Sequence, residues 1–263
     1  MAESHEMLRS KKQFVLDMDG TFYLGNRLLE GSLHFIEKVK ATGRRYLFFT
    51  NNSSKTGEYY RQKLAGMGCR VEEDEILTSG DVTIKFLKEN YPGARVYLVG
   101  TEMLEESFIR EGINLAAGKP DVVVFSFDTT LTYEKISRAC THIRNGAVFL
   151  ATHPDLNCPT EDGFIPDCGS MCAMVEASTG VKPKYLGKPF KETVDMISLI
   201  TGRKREEIAF VGDRLYTDIA IAVNSGITGI LVLTGETSLK DVEASQVKPD
   251  FIFDSLGALA DLL

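Results

Sequence analysis

Phe14-Val15-Leu16-Asp17-Met18-Asp19-Gly20-Thr21 is an apolar run that stops abruptly at two carboxylates one residue apart, followed by Gly-Thr. The apolar residues are suited to a buried strand, so Asp17 and Asp19 stand where that strand leaves its sheet. In open α/β sheets, ligands gather at these carboxyl-terminal strand ends. Two acids held this close repel each other, and burial sharpens the repulsion. A hard divalent cation such as Mg²⁺ relieves it, because it takes oxygen ligands from few carboxylates and leaves room for phosphate. The functional reading is therefore an aspartyl nucleophile, a neighbouring acid/base and a metal. The competing reading is a strand end closed by a solvated Asx turn. The apolar lead-in and the Gly-Thr favour the first.

On either side of this stretch, strand-like apolar runs alternate with amphipathic segments. After the strand at 14–17, the pattern predicts helices at Ser32–Ala41 and Thr56–Met67 around a strand at Arg45–Thr50. Further helices are expected near Asp81–Glu89, Glu102–Glu111, Tyr133–Asn145 and Ser170–Ser178, with strands at Arg95–Val99, Val122–Phe127 and Ala147–Thr152. The last third reads as helices at Phe190–Thr201, Thr217–Ser225, Ser238–Ala244 and Leu256–Leu262, and strands at Ile208–Val211, Gly229–Leu233 and Asp250–Phe253. Such βα alternation predicts an α/β protein with a parallel, doubly wound sheet. The short unbroken apolar runs suit strands buried on both faces.

Three more strand ends carry chemistry. Thr50-Asn51-Asn52-Ser53-Ser54-Lys55-Thr56 runs from a strand into hydroxyls and amides before a helix. Those groups, with backbone N–H at a helix start, can hold phosphate oxygens without adding full charge, although part of the cluster serves as an N-cap. Gly187-Lys188-Pro189 sets a lysine between two backbone restrictors just ahead of a helix, where a solvated surface lysine is the ordinary alternative. Ile208-Ala209-Phe210-Val211-Gly212-Asp213 is another buried strand ending at an acid, and Asp218 follows near a helix start. An acid in a first helical turn can simply answer the helix dipole. Asp213 at the strand tip lacks that explanation.

Composition agrees with an enzyme-sized globular chain of 263 residues, 43% hydrophobic and 25% charged. A formal charge of −7 argues against nucleic acid or an anionic membrane as partner. An anionic substrate then needs local positive charge from a metal or a lysine. No stretch is long and apolar enough to span a bilayer, and Met1–Lys12 is polar, so the expected compartment is the cytoplasm. The five cysteines, Cys69, Cys140, Cys158, Cys168 and Cys172, are odd in number and lack framework spacing. Cys168 and Cys172 are spaced to share a helix face, but no nearby His or further Cys in the sequence completes a metal set, and they read as structural thiols.

The four strand-end sites, in this order, resemble the haloacid dehalogenase superfamily of phosphotransferases. Asp17-Met18-Asp19-Gly20-Thr21 is similar to its first motif, Thr50 to its second, Lys188 to its third, and Gly212-Asp213 with Asp218 to its fourth. The longer runs Leu-Asp-Met-Asp-Gly-Thr, Phe-Thr-Asn-Asn-Ser-Ser and Gly-Asp-Arg-Leu-Tyr-Thr-Asp resemble the NagD-like branch, whose members include nucleotide and p-nitrophenyl phosphatases. That resemblance implies a Rossmann-like core at 1–78 plus 187–263 and an inserted α/β cap at 79–186. A gap from Asn51 to Gly187 far exceeds a connecting loop, and such insertions are domains or lids.

Carried over residue by residue, the resemblance makes Asp17 the nucleophile and Asp19 the general acid/base that also meets substrate. Mg²⁺ is expected on the Asp17 carboxylate, the Asp19 backbone carbonyl and the Asp213 carboxylate, with Asp218 orienting that shell. Thr50, Asn51 and Lys188 are expected to bind phosphate. The cap would choose the leaving group, through the turn-rich segment that holds His153, Asn157 and Cys158; branch members often carry Asn where His153 stands. Asp128, at another strand end inside the insertion, has no assigned part. The implied partner is a small phosphorylated metabolite, with homodimerisation through the cap as a further expectation. Two other functions stay open at this stage: phosphoryl transfer to an alcohol acceptor, and a metabolite-binding regulator that has lost turnover. A phosphorylated receiver domain fits poorly, since the insertion and Lys188 have no role in one.

Overall fold

The computed structural model describes residues 2–116, 118–160 and 163–263. The chain divides into two compact units, one made of Met1–Thr50, Glu58–Leu77 and Lys188–Leu263, the other of Asn51–Gly57 and Thr78–Gly187. The second unit thus takes in Asn51–Gly57, a segment the sequence reading left with the core.

The first unit is built on a six-stranded sheet in the order Phe251–Phe253, Thr228–Val232, Ile208–Gly212, Gln13–Leu16, Arg45–Thr50, Ile76–Thr78. Gln13–Leu16 pairs in parallel on both sides, with Leu16 level with Val211 on one neighbour and Phe48 on the other. All four of its residues are buried, as a central strand covered on both faces requires. The register places the chain leaving Leu16, Val211 and Phe48 at one edge of the sheet. The core beneath is aromatic: Phe14 meets Phe35 edge-on at 5.5 Å, and Phe22 meets Phe48 at 4.6 Å. Edge-to-face pairs of this kind add to the area they bury, and they anchor the strand that carries Asp17.

The second unit has its own sheet of five strands, in the order Lys184–Tyr185, Val148–Ala151, Val122–Phe125, Arg95–Val99, Asn114–Leu115, parallel throughout. Val122–Phe125 is buried along its whole length, and Phe125 packs on Phe149 at 5.5 Å. Helices Tyr133–Arg144 and Cys168–Thr179 pack together beside it. Both units are therefore parallel α/β layers, in keeping with the alternation read from the sequence.

The structure also holds elements that pattern alone did not reveal. Asn157–Thr160 and Gly163–Pro166 form an antiparallel hairpin in which Cys158 opposes Ile165. Asn, Cys, Pro and Thr are a poor strand signature, and most of the hairpin is exposed, so no period of two marks it. A second short hairpin pairs Tyr23–Leu24 with Arg27–Leu28. The helix expected at Thr217–Ser225 is split: Leu215–Ile219 is a π-helical turn, and only Ala220–Ser225 is α-helical. The helix at Cys168–Thr179 begins two residues before the expected start, because the Asp167 carboxylate caps it by accepting the Cys168 N–H at 2.6 Å.

Candidate active site

Asp17 extends the strand ladder by one bond, its N–H donating to the Val211 carbonyl at 2.9 Å. The chain then turns. Gly20 takes φ +85, and a Cβ there would lie 2.6 Å from Asp213 Oδ2. Only glycine meets both demands, the left-handed backbone and the close approach of a carboxylate. Its neighbour Thr21 donates Oγ1–H to Asp213 Oδ1 at 3.1 Å, and the Glu236 N–H donates to Asp213 Oδ2 at 2.8 Å. Asp213 is thereby aimed by the turn after one strand and the loop after another.

Asp218 reaches the same place by the π-helical turn. The Asp218 and Ile219 N–H groups both donate to the Arg214 carbonyl, at 3.0 and 3.1 Å. Gly212 makes room, since a Cβ there would stand 2.3 Å from the Asp218 side chain. Wide turns of this type recur at functional sites. Lys188 then joins the acids: its ammonium donates to Asp17 Oδ1 at 2.5 Å and to Asp218 Oδ1 at 2.7 Å, with all three residues buried.

Carboxylate oxygens of Asp17, Asp213 and Asp218 lie within 4.8 Å of one another. Burial, then the charge of Asp17, pushes Asp213 up to about 6. Burial also raises Asp218, to about 7, with Lys188 pulling against it and Asp17 and Asp213 adding to the rise. Desolvation works to lower Lys188, yet the charges of Asp17 and Asp218 outweigh it and hold its pKa above the ordinary lysine value. Three carboxylates against Lys188 and the nearby charge of Arg214 still leave an excess of negative charge in a buried place. That excess, and oxygen donors spaced to meet at one point, fit a hard divalent cation. Asp19 differs. Its side chain is exposed, yet the surrounding protein removes enough water to raise its pKa, opposed by Lys63 and assisted by Asp17.

The structure therefore brings together Asp17 and Asp213 from two strand ends, Lys188 from the turn before the helix at Lys191–Thr201, and Asp218 from the π-helical turn. Thr50 ends the strand beside that of Asp17 and is half-buried. Groups that the sequence reading passed over are Thr21, the Arg214 side chain and the loop at Gly235-Glu236. The last was detectable: Thr234-Gly235-Glu236-Thr237 follows another buried strand, and a Cβ on Gly235 would strike Asp213 Oδ2 at 2.0 Å.

Within the second unit, Asn51 is buried and donates Nδ2–H to Asp155 Oδ2 at 3.0 Å. His153 is fully buried, with Nε2 2.8 Å from Asp167 Oδ1 and Nδ1 2.9 Å from Thr152 Oγ1. Burial works against its proton, but the bond to Asp167 and the charges of Cys168, Asp167 and Asp155 raise its pKa to about 9. The fold also brings this histidine beside Cys168, although the sequence showed no histidine near that cysteine pair; burial raises the Cys168 thiol, but its bond to Cys172 and the charge of His153 bring it down to about 7. Asn157 is exposed and Cys158 half-buried, both on the hairpin. Asp128, buried, accepts a bond from Lys135 at 2.6 Å and from Thr130 Oγ1 at 2.6 Å, a local structural arrangement.

Two family models match the chain, haloacid dehalogenase-like hydrolase over residues 14–114 and HAD-hydrolase-like over 185–259. An acid sugar phosphatase of Staphylococcus aureus (strain MRSA252) is 37% identical over 97% of this chain and 99% of its own length. The structure of 4-nitrophenylphosphatase from Thermotoga maritima superimposes with a TM-score of 0.93 at 47% identity, covering 97% of this chain and 98% of that one. The p-nitrophenyl phosphatase from Archaeoglobus fulgidus gives a TM-score of 0.90 at 28% identity, covering 96% and 99%.

Proposed function

The chain belongs to the haloacid dehalogenase-like hydrolases, as a phosphatase of their NagD-like branch, and we propose that it hydrolyses small phosphomonoesters through an aspartyl-phosphate on Asp17. Sugar phosphates, nucleoside monophosphates and p-nitrophenyl phosphate are the substrates this reading covers. One observation carries it. A buried carboxylate at a strand tip is held by a buried lysine, 2.5 Å away, among two further acids. An arrangement so costly in repulsion suits a site that must attack a phosphorus centre.

In the first displacement an Asp17 oxygen bonds to phosphorus while the bond from phosphorus to the ester oxygen breaks, and Asp19 gives its proton to that departing oxygen. The raised pKa of Asp19 suits a group that must hold a proton before giving it up. In the second, Asp19 takes a proton from water, the water oxygen bonds to phosphorus, and the bond to Asp17 breaks. Lys188 offsets the Asp17 charge as the anionic ester approaches and stabilises the group in transfer, while Thr50 and Asn51 hold its oxygens. The Asp17 and Asp213 carboxylates and the Asp19 backbone carbonyl would hold Mg²⁺, with Asp218 and Thr21 fixing the orientation of what surrounds it. When bound, the ion supplies positive charge that lets phosphate enter a nest of acids. The second unit, Asn51–Gly57 with Thr78–Gly187, acts on this reading as a cap that selects the leaving group.

The test is release of inorganic phosphate from p-nitrophenyl phosphate and a panel of sugar phosphates, with Mg²⁺ and after chelation. Turnover that depends on Mg²⁺ and disappears in Asp17→Asn supports the reading. Turnover that survives both treatments contradicts it.

A further inference from the structure

Within the second unit, the segment after Thr50 is bonded to Thr78–Gly187 through Asn51, Ser53 and Ser54. The Asn51 carbonyl accepts from Ser79 Oγ at 2.5 Å, and the Asn51 amide is held by Asp155. Ser53 Oγ lies 2.9 Å from Thr152 Oγ1 and accepts the Phe127 N–H at 3.0 Å, while Thr101 Oγ1 donates to the Ser54 carbonyl at 3.1 Å. His153 sits at the hub. Its Nδ1 is 2.9 Å from Thr152 Oγ1 and 3.4 Å from Ser79 Oγ, and its Nε2 is 2.8 Å from Asp167 Oδ1.

A serine hydroxyl has one hydrogen, and that of Ser79 is committed to the Asn51 carbonyl, so toward a protonated Nδ1 it serves as acceptor. Nε2 faces a carboxylate oxygen that already accepts the Cys168 N–H, so Nε2 must donate. The Thr152 hydroxyl can give or take a hydrogen at Nδ1, and the bond to Asp167 with the charges of Cys168, Asp167 and Asp155 favours the protonated ring, an imidazolium with Asp167 as counter-ion. Buried without solvent, such a pair holds its geometry because breaking it leaves an uncompensated charge.

We propose that His153, protonated and held by Asp167, is the positioning residue for Asn51 and for the phosphate-binding turn that begins at Thr50. It acts through Ser79 on the Asn51 carbonyl and through Thr152 on Ser53, and it fixes where the Asn51 amide is presented. This rests on the reading of Thr50 and Asn51 as phosphate ligands. A histidine in this role governs affinity for the phosphoryl group common to all substrates, and leaves the choice among leaving groups to other residues.

Imidazole nitrogen NMR of the wild type at pH 7.5 should show both nitrogens of His153 in the protonated range; a neutral ring there overturns the proposal. Phosphate affinity is measured by calorimetry with Mg²⁺ and inorganic phosphate, which needs no turnover and so keeps this test separate from that of the hydrolase reading. Removing the relay in Ser79→Ala should weaken phosphate roughly tenfold, the worth of one buried hydrogen bond. The same variant should raise KM for p-nitrophenyl phosphate in step, with kcat within about threefold and the imidazolium signal retained. His153→Gln and Asp167→Asn should match it if they fold. Unchanged phosphate affinity in a folded Ser79→Ala, or an equal loss of kcat without any change in KM, defeats the proposal.

Discussion

Asp17 and Asp213 differ in what holds them, and that difference makes their substitutions separable. Asp17 is gripped by a lysine, whereas Asp213 is gripped by a hydroxyl and a backbone N–H and feels the charge of Asp17. Asp19 touches neither and keeps an exposed carboxyl. Asp19→Asn should therefore retain metal affinity while losing roughly two to four decades of kcat, the range of general acid–base catalysis. Asp213→Asn should lose metal affinity instead, as titration calorimetry with Mg²⁺ would show. The reverse pattern would exchange the two roles. A stability effect follows from the same residue. The Asp213 pKa is raised in the folded protein, so the stabilisation linked to its proton is complete below about 4 and is lost as pH rises through about 6. Metal-free wild type should thus lose stability across that interval, and metal-free Asp213→Asn should lose less and melt higher at pH 7. Equal melting profiles would remove burial and repulsion as the cause of the shift. His153 has its folded pKa raised as well, to about 9, so its contribution is present below about 6.5 and fades as pH climbs through 9.

Strand ends carry most of this chemistry, and they explain what could be read in advance. Phe14–Leu16 and Ile208–Val211 are unbroken apolar runs closed by an acid, so the burial that makes the strand also marks where it stops. Asp213 was visible for the same reason, and Lys188 because it stands between a glycine and a proline just ahead of a helix. Pairings were hidden. Nothing in the sequence says that Lys188 bridges Asp17 to Asp218, or that Gly235 lies against Asp213, because these contacts come from strand order. The π-helical turn was hidden too, since its residues look like any amphipathic helix start. Its packing gives a prediction: Gly212→Ala puts a methyl 2.3 Å from Asp218. That variant should fold less stably by about 1–3 kcal/mol, as overpacking does, and should lose activity out of proportion to its stability. Denaturant melts read beside kcat would show it; wild-type values in both would mean that the turn has room to shift. The hairpin at Asn157–Pro166 illustrates the opposite failure. Exposed and built from poor strand formers, it owes its pairing to the polypeptide backbone, and side-chain pattern could not announce it.

The molecule as a whole assembles two parallel α/β units, each with its own aromatic core, and among the described residues no helix is long and apolar enough to cross a membrane. The cluster of acids with its lysine belongs entirely to the first unit. On the proposed reading of the second unit as a cap, substrate choice can vary there without disturbing it. Asn157 and Cys158 lie on the largely exposed hairpin, Asn157 exposed and Cys158 half-buried, so their substitution should reorder kcat/KM among sugar phosphates and nucleoside monophosphates. Mg²⁺ affinity should stay as it was. A uniform loss for every ester would mean that the hairpin only excludes water, and an identical ranking would place specificity elsewhere.

All of this depends on a covalent bond between Asp17 and phosphorus, and that bond can be sought directly. Enzyme caught by acid quench during turnover, reduced with borohydride and digested, should yield a peptide in which Asp17 has become homoserine. The change should require substrate and be absent from Asp17→Asn. An unmodified Asp17 in enzyme that was turning over, or reduction at a different carboxylate, would contradict the mechanism.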